Sequence, residues 1–394
     1  MKGKVILLFS GGLDTSFCVL YLKEQGYDVI TLTMDSGGLS PQELLYIENR
    51  SKELGAIKHI LFDIKQEVYD KIITKIIKAN GLYQGVYPLM CSDRFLFGKY
   101  AIELAKKENA IAIAHGCTAS GNDQFRIETP IICSTLDIQL ITPVKTLGIS
   151  RDEEIKYLEG HGFTVPKEVK KYTLNENIFG MTISGSEIDD NKEIPEDVWV
   201  VSKITKNDPD YVEIVFEKGL PISLNGKTMN PMEILKNLNA IVGSYGYGRD
   251  VYIEDETLGI KGRQAFEAPG ILLIIKAHKA LEKAVLTQEQ LCLKNTLDYK
   301  WADLAYNKLF APVLKDIFAF INSTQKMVNG NVKITLCKKS AFVCEISSSN
   351  ELVDESVATY AQSSTWTGEH VKSFMEFYTL QSKIFYKKNK GDVI

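Results

Sequence analysis

An apolar run, KVILLF (residues 4–9), passes directly into SGGLDTS, Ser10 to Ser16, and few folds accommodate that junction. A strand, a glycine-rich turn and a helix in immediate succession place free backbone N–H groups at a helix N-terminus, where an anion can be held. Gly11 and Gly12 let the backbone come close to such an anion, and Ser10, Thr15 and Ser16 add hydroxyls without adding charge. A kinase-type loop, GxxxxGK[ST], would carry a lysine for the terminal phosphates, yet none follows here until Lys23. The chemistry this implies is retention of a leaving pyrophosphate after attack at an α-phosphate, rather than a γ-phosphoryl group in transit.

Residues 29–34, 57–62, 110–115 and 140–142 are further strand-length apolar stretches, most of them alternating with helix-length segments charged on one face. That rhythm predicts the α/β class, with a Rossmann-like parallel sheet covered on both sides by helices over residues 1–165. Ser150 and Glu153 form a capping-box signature for a helix running to about Gly160, and a boundary is expected near Pro166. A second, mixed α+β domain is expected over 166–365. Its strands are expected at 199–204, 211–216, 271–276, 332–337 and 341–346, with a long helical stretch from 278 to 327. In the tail, 366–394, Phe374, Phe377, Tyr378 and Phe385 are spaced as a helix stripe, to be covered by the chain's own core or by another chain.

With 394 residues, two or three domains fit, and the 46 basic and 50 acidic residues are interspersed, with no run of one sign before the terminal KKNK. The net charge of −4 argues against a nucleic-acid or membrane-surface partner. Seven cysteines without a CxxC pair suggest neither a disulfide framework nor a zinc knuckle. No apolar stretch approaches the roughly 20 residues that span a bilayer, and the first is too short for a signal peptide. A cytoplasmic protein is expected, and the five scattered histidines predict no metal site of its own.

SGGLDTS after a first strand resembles the signature of the PP-loop ATP pyrophosphatases, which cut ATP between its α and β phosphates. Within that group HGCTASGNDQFR, His115 to Arg126, is similar to the argininosuccinate synthase segment that reads HG-Thr-Gly-Lys-GNDQ-Arg. YPL at Tyr87, TLNENIFG from Thr173, GRDVYIEDETLGIKGR from Gly248, EAPG from Glu267 and KAHKALE from Lys276 follow in that family's order, so the resemblance spans nearly the whole chain. The residue chemistry agrees independently. Gly116 and Gly121 open a loop at the end of a sheet strand, where open α/β sheets bind ligands. Thr118, Asn122 and Asp123 offer groups suited to an amino acid, and Arg126 offers a fork for a carboxylate.

The resemblance implies adenylation of the citrulline ureido oxygen by ATP, loss of pyrophosphate, and displacement of AMP by the aspartate amine. It implies ATP contacts at Ser10, Gly11, Gly12, Leu13, Asp14, Thr15, Ser16, Ser36 and Gly116, with Mg²⁺ bridging phosphate oxygens, and aspartate contacts at Thr118, Asn122 and Asp123. Tyr87, Ser92, Arg126, Thr173, Thr182, Glu254 and Phe266 take the citrulline positions, with Arg94 beside them. No general base stands out, so Asp14, Asp123 and Arg126 are expected to work by positioning and charge. A homotetramer with swapped C-terminal helices is also implied.

The amino-acid side departs from the family pattern. After YPL the chain reads Met90-Cys91-Ser92-Asp93-Arg94-Phe95 in place of Gly-Thr and Ala-Arg-Pro, so Arg94 sits one residue early, a shift of about 100° on a helix. Thr173 and Thr182 stand for serines, Asn175 for an acid, Met181 for an arginine, Phe266 for a tyrosine and Ser120 for a lysine. Pro143-Val144-Lys145 replaces Pro-Trp-Arg. These changes leave open a paralogue joining a different ureido, amide or carboxylate acceptor to aspartate or another amine. A tRNA-modifying relative using Cys91 and Cys117 as sulfur carriers fits less well with an acidic chain lacking paired cysteines, and a retired, ATP-binding regulator fits less well with intact loops.

Overall fold

The computed structural model describes residues 2–165, 172–308, 311–357 and 366–389. The boundary expected at Pro166 lies outside the described residues. The chain divides into two units, 1–350 and 351–394.

The first unit begins with the expected parallel sheet: β1 (Gly3–Leu8), β2 (Tyr27–Asp35), β3 (Lys58–Asp63), β4 (Ala112–Ala114) and β5 (Gln139–Ile141), in the order β3-β2-β1-β4-β5. Side chains of β1 alternate between two apolar layers. Val5 and Leu7 meet Phe17, Val19 and Leu22 of the helix Leu13–Glu24 and Leu158 of Arg151–Gly160. Ile6 and Leu8 join the layer that holds Ile72, Ile76 and Leu96. A strand buried on both faces reads as an unbroken apolar run, which is why KVILLF shows no alternation. Ser150 caps Arg151–Gly160 as expected, accepting from the Glu153 N–H while the Glu153 carboxylate accepts from the Ser150 N–H at 2.9 Å.

The remaining strands are β6 (Thr173–Asn177), β7 (Gly180–Ser184), β8 (Asp210–Glu217), β9 (Leu220–Leu224), β10 (Lys227–Thr228), β11 (Arg249–Asp255), β12 (Lys261–Glu267), β13 (Gly330–Cys337) and β14 (Ser340–Ser347). They form two antiparallel sheets, β11-β12-β7-β6 and β10-β9-β8-β13-β14. Helices Pro231–Gly243, Pro269–Val285, Gln288–Lys308 and Val313–Thr324 accompany them, so the stretch expected as one helical run is divided among three helices.

Two expected strands are not strands. Residues 271–276 lie inside the helix Pro269–Val285, where Ile271, Leu273, Ile274 and Ile275 are all buried. Pro269 opens that helix, and a helix buried all round gives the same continuous apolar run as a buried strand. At 199–204 a side chain takes the place of a ladder partner: the buried Glu267 carboxylate accepts from the N–H groups of Val200, Val201 and Ser202 at 3.0, 3.1 and 2.8 Å and from the Ser202 hydroxyl at 2.6 Å.

In the second unit the expected tail helix is two helices, Gly368–Tyr378 and Leu380–Asn389, with Phe374, Phe377, Tyr378 and Phe385 exposed. Among the described residues no helix is long and apolar enough to cross a membrane.

Candidate active site

The strand order reverses between β1 and β4, and the loops that follow those strands meet at the crevice so formed. Gly11 adopts φ +74°, a conformation glycine reaches without strain, and Gly12 caps the helix Leu13–Glu24. Ser10 Oγ accepts from the Gly12 N–H at 3.3 Å and lies 3.3 Å from Thr15 Oγ1, so the hydroxyls ring the helix N-terminus. A Cβ on Gly116 would stand 3.2–3.3 Å from atoms of Asp14 and Thr15, so the 115–118 loop packs closely on the first. His115 shapes that second loop: its Nδ1 accepts from the Cys117 N–H at 3.2 Å, which puts the proton on Nε2, 3.1 Å from Glu128. Burial works against the Glu128 carboxylate, but His115 and Lys145 outweigh it and hold its pKa below the ordinary value. Ser36 is buried beyond β2, next to Asp35, which accepts from the Gly37 N–H at 2.9 Å.

Beside the crevice lies a cavity of about 460 Å³. Of the expected residues, Asp14, Tyr87, Arg94, Thr118, Asn122, Asp123, Arg126, Thr173, Thr182 and Glu254 line it. Ser10, Gly11, Gly12, Leu13, Thr15, Ser16, Ser36 and Gly116 lie outside this lining. Ser92 and Phe266 stand behind the wall. Ser92 is buried with a hydroxyl that has no partner among the described residues, while the Phe266 ring meets Tyr87 and Tyr252 edge-on at 5.6 and 5.7 Å.

One wall is cationic. Asp123, in the first turn of the helix Asp123–Ile132, accepts from Arg126 at 2.9 Å and from Arg94 Nε at 3.3 Å. Burial opposes its charge, and the two guanidinium groups overcome it and hold the carboxyl below the usual range. Arg126 is 4 % exposed, and among the described residues its Nε and NH2 have no hydrogen-bond partner. Arg126 lines the cavity, and a buried guanidinium with unmet donors beside a cavity is suited to an anion, because such donors left unmet cost about 1–3 kcal/mol or more.

The opposite wall is neutral or acidic. Thr173, Asn175, Thr182 and Ser184 project from β6 and β7 into the cavity, whereas Met181 turns to the other face, in an apolar cluster with Ile183, Ile188 and Trp199. The loss of the family's arginine at 181 therefore does not touch the cavity. Asn177 fastens β6 to the 90–93 turn, donating to Met90 O at 2.8 Å and Asp93 at 3.1 Å. That turn follows Leu89, a buried leucine held at φ +56°, where a branched side chain is strained.

Glu254 on β11 is 2 % exposed. Gln264 donates to its Oε1 at 2.8 Å, and the hydroxyls of Tyr252, at 3.2 Å, and Tyr306 meet its Oε2. Burial is the largest influence and raises its pKa; the tyrosine bonds and Arg126 act against it. Tyr252, Gln264 and Tyr306 were not found by sequence reading. Tyr252 and Gln264 lay within or beside a matched motif, but nothing local marked Tyr306. Cys91 and Cys117 also line the cavity, where burial pushes their thiols up to about 11 and about 12, so neither is a ready nucleophile.

A parallel sheet with a lysine-free phosphate loop at its switch point, beside a cavity of opposed guanidinium and carboxylate groups, defines an ATP-dependent ligase of the PP-loop class. The chain belongs to the argininosuccinate synthase family: the profile of the arginosuccinate synthase N-terminal HUP domain matches residues 4–164, and that of the C-terminal domain residues 172–385. A protein named argininosuccinate synthase from Dictyoglomus turgidum is 40% identical over 393 residues, 98% of each chain. Its namesake from Pyrococcus furiosus is 40% identical over 395 residues, 98% of this chain and 95% of that one. The one from Methanocaldococcus jannaschii is 36% identical over 396 residues, 99% and 100% of the two chains.

Proposed function

We propose that this protein joins citrulline to aspartate at the expense of ATP, forming argininosuccinate, AMP and pyrophosphate. The observation that carries the reading is the buried Arg126 guanidinium, which lines a cavity adjoining the phosphate loop and whose Nε and NH2 have no partner among the described residues. A carboxylate of the acceptor fits those donors, and Glu254, an anion on the other side, fits its ammonium group. In the first step the ureido oxygen forms a bond to the α-phosphorus while the α–β bridge breaks and pyrophosphate leaves. The residues Ser10 to Ser16 hold the departing phosphates through N–H and hydroxyl donors. In the second, the aspartate amine bonds to the ureido carbon and AMP departs with the carbon–oxygen electron pair. Thr118, Asn122 and Asp123 orient the aspartate, so that catalysis rests on placing two substrates against an activated carbon.

Magnesium enters this reading with the nucleotide. Among the described residues no group of three or more His, Cys, Asp or Glu side chains is placed to hold a metal ion. Phosphate oxygens would then be its main ligands, with Asp14 the carboxylate on the loop. The aromatic residues exposed on the tail helices support the homotetramer that the family resemblance implies, and a cytoplasmic site of action is part of the same reading.

The test is pyrophosphate release from ATP and Mg²⁺ with citrulline and aspartate added singly and together. Citrulline-dependent release, with argininosuccinate appearing once aspartate is present, is the expected result. No response to citrulline in protein that binds ATP would reject it.

A further inference from the structure

The hydroxyl of Tyr306 stands between groups that serve different substrates in the reading above. It accepts from Asn122 Nδ2 at 3.1 Å, from the loop expected to hold aspartate, and it bonds to Glu254 Oε2, expected to hold the acceptor's ammonium group. Asn122 is fixed at its other end as well, since its Oδ1 accepts from the Thr257 N–H at 3.0 Å. A phenol has one hydrogen to donate and lone pairs to accept with, so Asn122 donating to Tyr306 and Tyr306 donating to Glu254 is the polarity the atoms allow. Three residues separated by 132 and 52 positions or more are thus joined in one chain of hydrogen bonds through a single oxygen.

The ring is held as firmly as the hydroxyl. Tyr83 stacks on it at 3.8 Å between centroids with planes 5° apart, and Tyr87 meets it edge-on at 6.3 Å. The Arg126 guanidinium carbon lies 4.6 Å from the ring centroid. Tyr306 is 1 % exposed, though it lines the cavity. A tyrosine used only for packing would need neither bond to a site residue; this one touches three residues on which the two substrates depend.

We infer that Tyr306 is a positioning residue that sets Asn122, Glu254 and Arg126 in register, so that the amine donor and the acceptor are placed through one shared oxygen. The inference rests on the function proposed above. Loss of the hydroxyl takes the acceptor from Asn122 Nδ2 and leaves Glu254 Oε2 with the longer Tyr252 bond, which loosens both substrates and leaves the nucleotide alone.

The experiment is steady-state kinetics of Tyr306→Phe beside the unaltered protein, with ATP, citrulline and aspartate varied in turn. The phenylalanine keeps the ring contacts, and a thermal midpoint close to that of the unaltered protein verifies folding. The KM values of citrulline and aspartate are each expected to rise about tenfold, the effect of one hydrogen bond to a charged or buried partner, with the KM of ATP unchanged. The pH dependence of the citrulline KM should move upward, since the Tyr306 bond opposes the rise that burial imposes on Glu254. Amino-acid KM values within twofold of the unaltered protein's would overturn the inference while leaving the function in place. No citrulline turnover by the unaltered protein would overturn both.

Discussion

Arg94 NH1 lies 2.8 Å from each carboxylate oxygen of Asp93, its neighbour in sequence, whose side chain is wholly buried. The same guanidinium reaches Asp123 through Nε, so one cation serves a buried acid beneath the cavity and a second acid on its wall. Arg94→Ala takes the cation from Asp93 and leaves it the Asn177 amide, and breaking a buried pair in this way costs about 3–5 kcal/mol. Urea unfolding should show a lowered midpoint of that size, and the aspartate KM should rise as Asp123 loses one of its two clamps.

Arg126 gives the sharpest test of substrate recognition. Arg126→Lys keeps the charge but removes the fork, and a hydrogen bond to a charged group is worth about 1.5–3 kcal/mol. The KM of citrulline is expected to increase roughly 10- to 150-fold, with the KM of ATP little changed. An equal rise for ATP would place Arg126 on the nucleotide instead.

Parts of this site were legible because they are local. SGGLDTS and HGCTASGNDQFR each follow a strand and lead into a helix, so their loops could be placed at one edge of the sheet without knowing any distant contact. Glu254 and Tyr87 were reached through motif order alone. Tyr306 was not, because its place at the cavity comes from packing beside Tyr83, Arg126 and Glu254, which arrive from three distant parts of the chain; along its own helix it reads as one more buried aromatic. KAHKALE was matched as a motif, yet its His278 and Glu282 face a buried network and not the cavity. The opposite error came at Ile271, where a helix buried all round imitates a strand.

That buried network carries its own prediction. Lys294 is 0 % exposed, donates to Asp298 at 2.7 and 2.9 Å and to Lys78 O at 2.8 Å, and lies 3.0 Å from Glu282. Even with Lys294 beside it, burial pushes Asp298 up to about 7. Lys294→Met would strand two acids and cost about 3–5 kcal/mol, seen as a lowered unfolding midpoint. Lys294→Met combined with Asp298→Asn should recover part of that loss, whereas independent sites would give a larger loss than either alone.

The departures from the family pattern on β6 and β7 separate by the face they occupy. Met181 packs with Trp199 and Ile188, away from the cavity, while Asn175 lines it. Met181→Leu, close in volume, should cost under about 1.5 kcal/mol in unfolding and leave the citrulline KM unaltered. Asn175→Asp adds a negative charge on the wall facing Arg126 and should change the citrulline KM without a comparable change in stability. A response of the citrulline KM to Met181→Leu would contradict this division.

Glu154, on the helix Arg151–Gly160, is 1 % exposed and close enough to the loop residue Asp14 for their charges to interact. Burial first, and then the Asp14 charge, push its carboxyl up to about 8. A carboxyl whose folded pKa lies above its unfolded value binds a proton more tightly when folded. Its contribution to stability is therefore complete below the unfolded value of about 4.3 and declines as pH rises, levelling off above about 8. Glu154→Gln removes that titration, so its urea midpoint should fall less steeply between pH 5 and 8 and exceed that of the unaltered protein at pH 8.5. Because an ionised Glu154 adds negative charge beside Asp14 at the loop, the ATP KM is expected to rise across that range, and the same substitution should flatten the rise. Identical slopes for the two proteins would show that Glu154 keeps an ordinary carboxylate's charge in the fold.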